Sequence, residues 1–159
     1  MLKKENIDTT APILPGEGLG GLKLLTHIKD YKELVTSFSW LDQKTLKDCS
    51  VSLFSPLHIG YEMKDTLIMI FDVITGNLQR ICDIKNYEGT LLGKLKVGMS
   101  LEQAKKLEPK LTFDDFEELY YIDGVQGVTI ETDAYNKYIE VITVHTLGGN
   151  TGADNSKVI

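Results

Sequence analysis

The side chains able to do chemistry are few and scattered. His27, His58 and His145 are the three histidines, and Cys49 and Cys82 the two cysteines. None lies at metal-pair spacing from another, so no zinc site is expected. A Cys/His nucleophilic pair needs a depressed thiol pKa, and no local feature supplies one. Both cysteines fall on or beside expected strands, where small buried thiols are ordinary. Gly16-x-Gly18-x-x-Gly21 matches the dinucleotide fingerprint in pattern alone. Pro12 and Pro15 spoil a preceding strand, Glu17 would face the pyrophosphate, and no βαβ unit follows. A glycine-rich turn into the first strand is expected instead. There is no Walker motif, nucleophile elbow or His-Glu-x-x-His. No catalytic, cofactor-binding or metal-binding residue is therefore assigned. A small enzyme built on one of these histidines or cysteines would need them to meet in space.

The most distinctive stretch is acidic. Asp114, Asp115, Glu117, Glu118 and Asp123 place five carboxylates in ten residues, interleaved with Phe116, Tyr120 and Tyr121. Carboxylates this dense on a surface stay solvated, which disfavours general acid–base work. The spacing lacks the Asp-x-Asp-x-Asp-Gly loop of a calcium site. A binding surface fits better, with tyrosine supplying contact area and the acids selecting a basic partner. The candidate contacts are Asp114, Asp115, Glu117, Glu118, Tyr120 and Asp123. The alternative is that Phe116, Leu119 and Tyr121 face the core and the acids only solvate the other side.

Charge placement supports the binding reading. The 159 residues carry a formal net charge of −6. Residues 1–100 hold 12 basic and 12 acidic side chains, whereas residues 101–159 hold 5 and 11. That field disfavours nucleic-acid phosphates and steers a basic partner toward the second half. The longest strongly apolar run, Thr66 to Phe71, is far short of the ~20 residues of a membrane span. The N-terminal residues show no apolar secretory h-region. A cytoplasmic protein with reduced thiols is expected.

The elements that would position these groups repeat. Leu19 to Leu34 aligns without gaps on Leu92 to Leu107, with identities at 6 of 16 positions. In the second copy Ser100 and Gln103 form a capping box, followed by Leu101, Ala104 and Leu107 on one helical face and Pro109 as a stop. In the first copy Thr26 is the expected cap, with a stripe of Ile28, Tyr31, Leu34, Val35 and Phe38. A further helical turn is expected at Leu41 to Lys47. Hairpins follow: Leu67–Val73 with Leu78–Ile84 around Thr75-Gly76-Asn77, and Val128–Thr132 with Tyr138–His145 around Tyr135-Asn136-Lys137. Further strands are expected at Ser50–Phe54, His58–Glu62 and Glu118–Ile122.

Gly98, Met99, Ser100, Glu102 and Gln103 resemble the helix start of the β-lactamase inhibitor protein superfamily, which includes small outer-membrane assembly lipoproteins. Its unit is a helical segment followed by antiparallel strands, and the inhibitors carry two in tandem. In the first half Leu25, Thr26 and His27 stand at the Gly-Met-Ser positions. A wider pattern covers Ile13 to Leu24, Asp72 with Thr75-Gly76-Asn77, and Gly93 to Ser100. It resembles small bacterial immunity proteins encoded beside polymorphic or contact-dependent inhibition toxins. Both resemblances imply stoichiometric protein binding without chemistry. The second implies neutralisation of a cognate toxin domain, for instance a basic nuclease. The expected fold is α+β, with two tandem helix-plus-antiparallel-sheet units in one compact domain. That domain spans 13–147, as repeats of about 18–90 and 91–147, with flexible tails at 1–12 and 148–159.

Overall fold

The computed structural model describes residues 7–36 and 49–147. The chain forms β1 (Gly18–Leu19) and β2 (Leu22–Lys23), a 3-10 turn (Ile28–Tyr31) and α1 (Lys32–Thr36). Strands β3 (Cys49–Ser55), β4 (His58–Met63), β5 (Leu67–Asp72) and β6 (Leu78–Asp83) follow. Then come α2 (Leu101–Leu107), β7 (Leu111–Asp114), β8 (Leu119–Ile122), β9 (Val125–Thr132) and β10 (Ile139–His145). β1 and β2 make a small ribbon, and the other eight strands form one sheet in the order β3-β4-β5-β6-β10-β9-β8-β7. Every pairing in it is antiparallel.

This corrects the α+β expectation. Among the described residues the protein is mostly β, only 12% helical, and not built of helix-plus-sheet units. The apolar stripes read as helices belong to very short elements. α2 runs seven residues before Glu108 leaves helical geometry ahead of Pro109. α1 runs five. The expected turn at Leu41–Lys47 and the stripe residue Phe38 lie outside the described residues. Meanwhile the second half adds β7, which the sequence pattern did not single out. The two halves also share one sheet, because β10 pairs with β6 through Ile142↔Asp83, Thr143↔Cys82, Val144↔Ile81 and His145↔Arg80.

What recurs is a joint between the lead-in segment and the last strand of each four-strand meander. The Leu25 N–H donates to the Leu78 carbonyl (2.8 Å), the Leu78 N–H to Thr26 (3.0 Å) and the Ile28 N–H to Gly76 (2.7 Å). In the second half the Gly98 N–H donates to Ile139 (2.8 Å), the Ile139 N–H to Met99 (2.9 Å) and the Leu101 N–H to Lys137 (2.8 Å). The left-handed residues Leu25 (φ 62°) and Gly98 (φ 81°) sit at aligned positions. In the first half the residue after Thr26 is the cap: His27 Nδ1 accepts the Lys29 N–H at 3.1 Å. Its counterpart Ser100 accepts the Gln103 N–H at 3.2 Å. Ser100→Ala is expected to cost about 1 kcal/mol, as N-cap deletions do. Urea unfolding checks it, and a midpoint equal to wild type would show that this cap carries no stability.

The sheet has two unlike faces, as antiparallel sheets often do. One carries Leu67, Met69, Phe71, Ile81, Ile130, Ile142 and Val144 into the core. Ile13, Leu19, Leu22, Tyr31, Leu34, Tyr87, Leu91, Leu95, Leu101 and Ala104 cover that face from the irregular segments and short helices. By strand alternation Arg80, Cys82, Thr129, Tyr121, Thr143 and His145 lie on the other face. Of the expected tails, residues 1–6 and 148–159 lie outside the described residues. Residues 7–12 are not a tail: Ile7 is buried, Asp8 N–H bonds Gly20 (3.3 Å), and Glu88 N–H bonds Thr9 (2.8 Å).

Two carboxylates are buried in different circumstances. Glu108 is ion-paired to Lys94 at 2.8 Å and accepts the Lys110 N–H at 3.2 Å. The Lys94 hydrogen bond, then the Lys110 amide, hold its carboxyl below the usual range. Asp83 is 0% exposed, and neither of its oxygens has a hydrogen-bond partner. Across the ladder its neighbours are Leu67 and Ile142, both apolar and buried. Burial pushes its carboxyl up to about 8.

Candidate protein-binding surface

The acidic stretch folds as the β7–β8 hairpin at one edge of the sheet. Antiparallel pairing from Leu111↔Ile122 to Asp114↔Leu119 puts Asp115 to Glu118 in the connecting turn. Asp114 shapes that turn, accepting the N–H groups of Phe116 (2.9 Å) and Glu117 (3.1 Å) on one oxygen. This is the local side-chain-to-backbone bonding that Asp favours in turns. Glu118 closes it with a left-handed φ of 55°. The turn pushes Phe116 outward, 83% exposed among the carboxylates.

Not all of the expected contacts gather there. Asp114, Asp115, Glu117 and Glu118 cluster at the tip. Asp123 lies at the other end of the hairpin, where it accepts the Thr112 hydroxyl at 3.4 Å. Tyr120 is turned into the protein at 5% exposure. Its ring packs against Phe113 (4.8 Å between centroids) and under the Lys105 ammonium (5.1 Å). It therefore cannot present a contact. Alternation places Tyr121 on the opposite face, and Tyr121 with Phe116 supplies the exposed aromatic surface. Among the described residues none of the five acids has an ion-pair partner.

Behind the tip the open face forms a cleft of about 440 Å³, lined by Asp114, Glu117, Leu119, Tyr121, Thr129 and His145 among others. Two half-buried carboxylates on one wall, an aromatic ring and an imidazole suit a basic side chain. A guanidinium could lie against the Tyr121 ring while bonding an acid. The cleft depends on the register of β8, β9 and β10 against one another, which leaves no mark in the sequence.

Among the described residues, the histidines and Cys82 do not converge on a centre. His27 caps the 3-10 turn. His145 Nδ1 lies 3.2 Å from the Thr146 carbonyl at the cleft margin. His58 Nδ1 is 2.9 Å from the Ser55 hydroxyl and pairs across the ladder with Asp72. The Ser55 hydroxyl also accepts the Leu57 N–H, and one Asp72 oxygen takes three donors from Ile74 and Thr75. These groups brace two adjoining turns. Burial pushes the Cys82 thiol up, and Thr143 donates its hydroxyl to the sulfur at 3.4 Å. The side chain of Cys49 lies outside the described residues. No cluster of His, Cys, Asp and Glu suited to a metal occurs among the described residues. In the glycine-rich segment the Leu14, Gly16, Glu17 and Gly18 N–H groups all bond backbone carbonyls, leaving none of these four for a phosphate.

Comparison of the chain with protein-family models, curated proteins and solved structures gives no match. No helix among the described residues is long and apolar enough to cross a membrane.

Proposed function

We propose that the protein is a cytoplasmic immunity protein that neutralises a basic toxin domain by stoichiometric binding. The observation that carries this reading is the β7–β8 tip, four carboxylates without ion-pair partners around an outward Phe116 and beside an acidic cleft. Carboxylates left unpaired on one edge steer a basic partner, and an exposed aromatic among them supplies the anchor that charge alone lacks. A basic side chain of the toxin enters the cleft, and the tip packs beside it.

The test uses a basic toxin domain, sought first among the genes neighbouring this one. Co-expression with wild type is expected to protect cells, and the purified pair is expected to form a one-to-one complex. Asp115 and Glu117 do not brace the turn through their side chains, so Asp115→Lys with Glu117→Lys should leave melting unchanged. Binding should weaken at least tenfold, mostly through slower association at low salt. Unchanged affinity and salt dependence in the double variant would remove the tip from the interface. Failure of wild type to bind or protect would end the immunity reading.

A further inference from the structure

We propose that two copies of this chain join edge to edge through β3, in antiparallel register about Ser52, to form a continuous sixteen-stranded sheet. The two edges of the sheet are protected very differently. β7 is four residues long, ends in Asp114 and leads into the acidic turn. Shortness and charge are the usual means of blocking an edge. β3, Cys-Ser-Val-Ser-Leu-Phe-Ser, is seven residues with no charge and no proline. Among the described residues nothing hydrogen-bonds to its outer side.

The strand is complementary to itself. Val51 and Leu53 pair with Tyr61 and Ile59, which pack against the core, so both point to the core side. Antiparallel pairing centred on Ser52 sets Val51 of each copy against Leu53 of the other. Four apolar side chains then extend the core layer across the joint, where Leu53 alone is now 75% exposed. On the other face Ser52 meets Ser52, and Phe54, already lying over Gly60, meets Ser50. Leu57, Val73 and Ile74 are exposed at the same end of the sheet, and the Val73 N–H bonds the Leu57 carbonyl.

The self-complementary register makes a second copy the occupant, and charge selects this edge over the other. Seven strand spacings place β7 about 34 Å from β3, several Debye lengths at physiological salt. Joining through β3 therefore keeps the two acidic hairpins at the outer ends, whereas any other edge pairing brings at least one inward. The acidic tips and clefts stay free, so the pairing is independent of the toxin reading.

Sedimentation over a concentration series is expected to give twice the 17.8 kDa chain mass. Leu53→Lys puts a charge at the most exposed position of the strand. It is expected to give folded monomer whose melting temperature no longer rises with protein concentration, as that of the wild-type dimer should. In a Cys49→Ser background, Ser52→Cys should cross-link fully to a dimer on mild oxidation, and Ser50→Cys at least tenfold more slowly. Wild type that is monomeric throughout overturns the proposal, even where its edge takes up an extended segment of another protein. So does a dimer that survives Leu53→Lys, or equal cross-linking at positions 50 and 52.

Discussion

At pH 7, Asp83→Asn is expected to raise the free energy of unfolding by about 4 kcal/mol. Asp83 has no exposure and no hydrogen-bond partner, and its carboxyl is pushed up to about 8 by burial from the ordinary 3.8. In the folded chain it stays protonated through neutral pH, while in the unfolded chain it ionises above about pH 4. Its folded value is raised, so its contribution is fully present below the unfolded pKa and is lost as pH rises through about 8. Some three units of that interval are traversed by pH 7, at about 1.4 kcal/mol each. Asparagine keeps the shape and cannot ionise. The two proteins should converge near pH 4 and diverge progressively up to about pH 8. Urea unfolding at several pH values measures this, and parallel profiles would refute it. The acid limb should be common to both. Asp8 and Asp72 are held low mainly by Thr10 and Thr75, and Glu108 mainly by Lys94. Their support exists above their unfolded pKa values and disappears as pH falls.

Gly127→Ala should cost about 3 kcal/mol, whereas Gly124→Ala should cost about 1. The two glycines have nearly the same backbone, φ 78° and 83°. Both therefore pay the left-handed penalty of a side chain. They differ in what a Cβ meets. At Gly124 nothing lies within 4 Å, whereas at Gly127 the Gly16 Cα and N are each 2.5 Å away. Backbone cannot rotate aside, so the glycine-rich segment must lift from β9. That breaks the Gly16 N–H bond to the Gly127 carbonyl, now 3.0 Å. Gly127 also lines the acidic cleft, so the variant should reshape that cleft as well as lose stability. Equal melting temperatures for the two alanine variants would show that the segment is not anchored there.

Legibility in the sequence followed the range of the interactions. The β5–β6 and β9–β10 hairpins carry alternation and turn chemistry within one stretch, and the Ser100 cap needs only its own neighbours. The first cap falls on His27, one residue beyond the hydroxyl of Thr26 that cap preference favours. The fold class failed for a physical reason. Short apolar stripes such as Ile28 to Val35 satisfy a helical period whether the element lasts two turns or four, and pairing between β6 and β10 leaves no local mark. In the acidic stretch the cluster was evident from composition. Which face Tyr120 took depended on the register of β7 against β8, and a shift of one residue exchanges it with Tyr121.

The β6–β10 joint also bears on how the chain folds. Within each meander every pairing is between consecutive strands, so loops close quickly and cheaply. The joint links residues about sixty apart in sequence, and that larger closure must be met before its contacts repay it. The two meanders should thus gain structure early and zip together late, with perturbations along Arg80 to Asp83 speeding unfolding more than they slow folding. The buried, uncompensated carboxyl of Asp83 lies in that line, so Asp83→Asn is expected to slow unfolding more than it speeds folding.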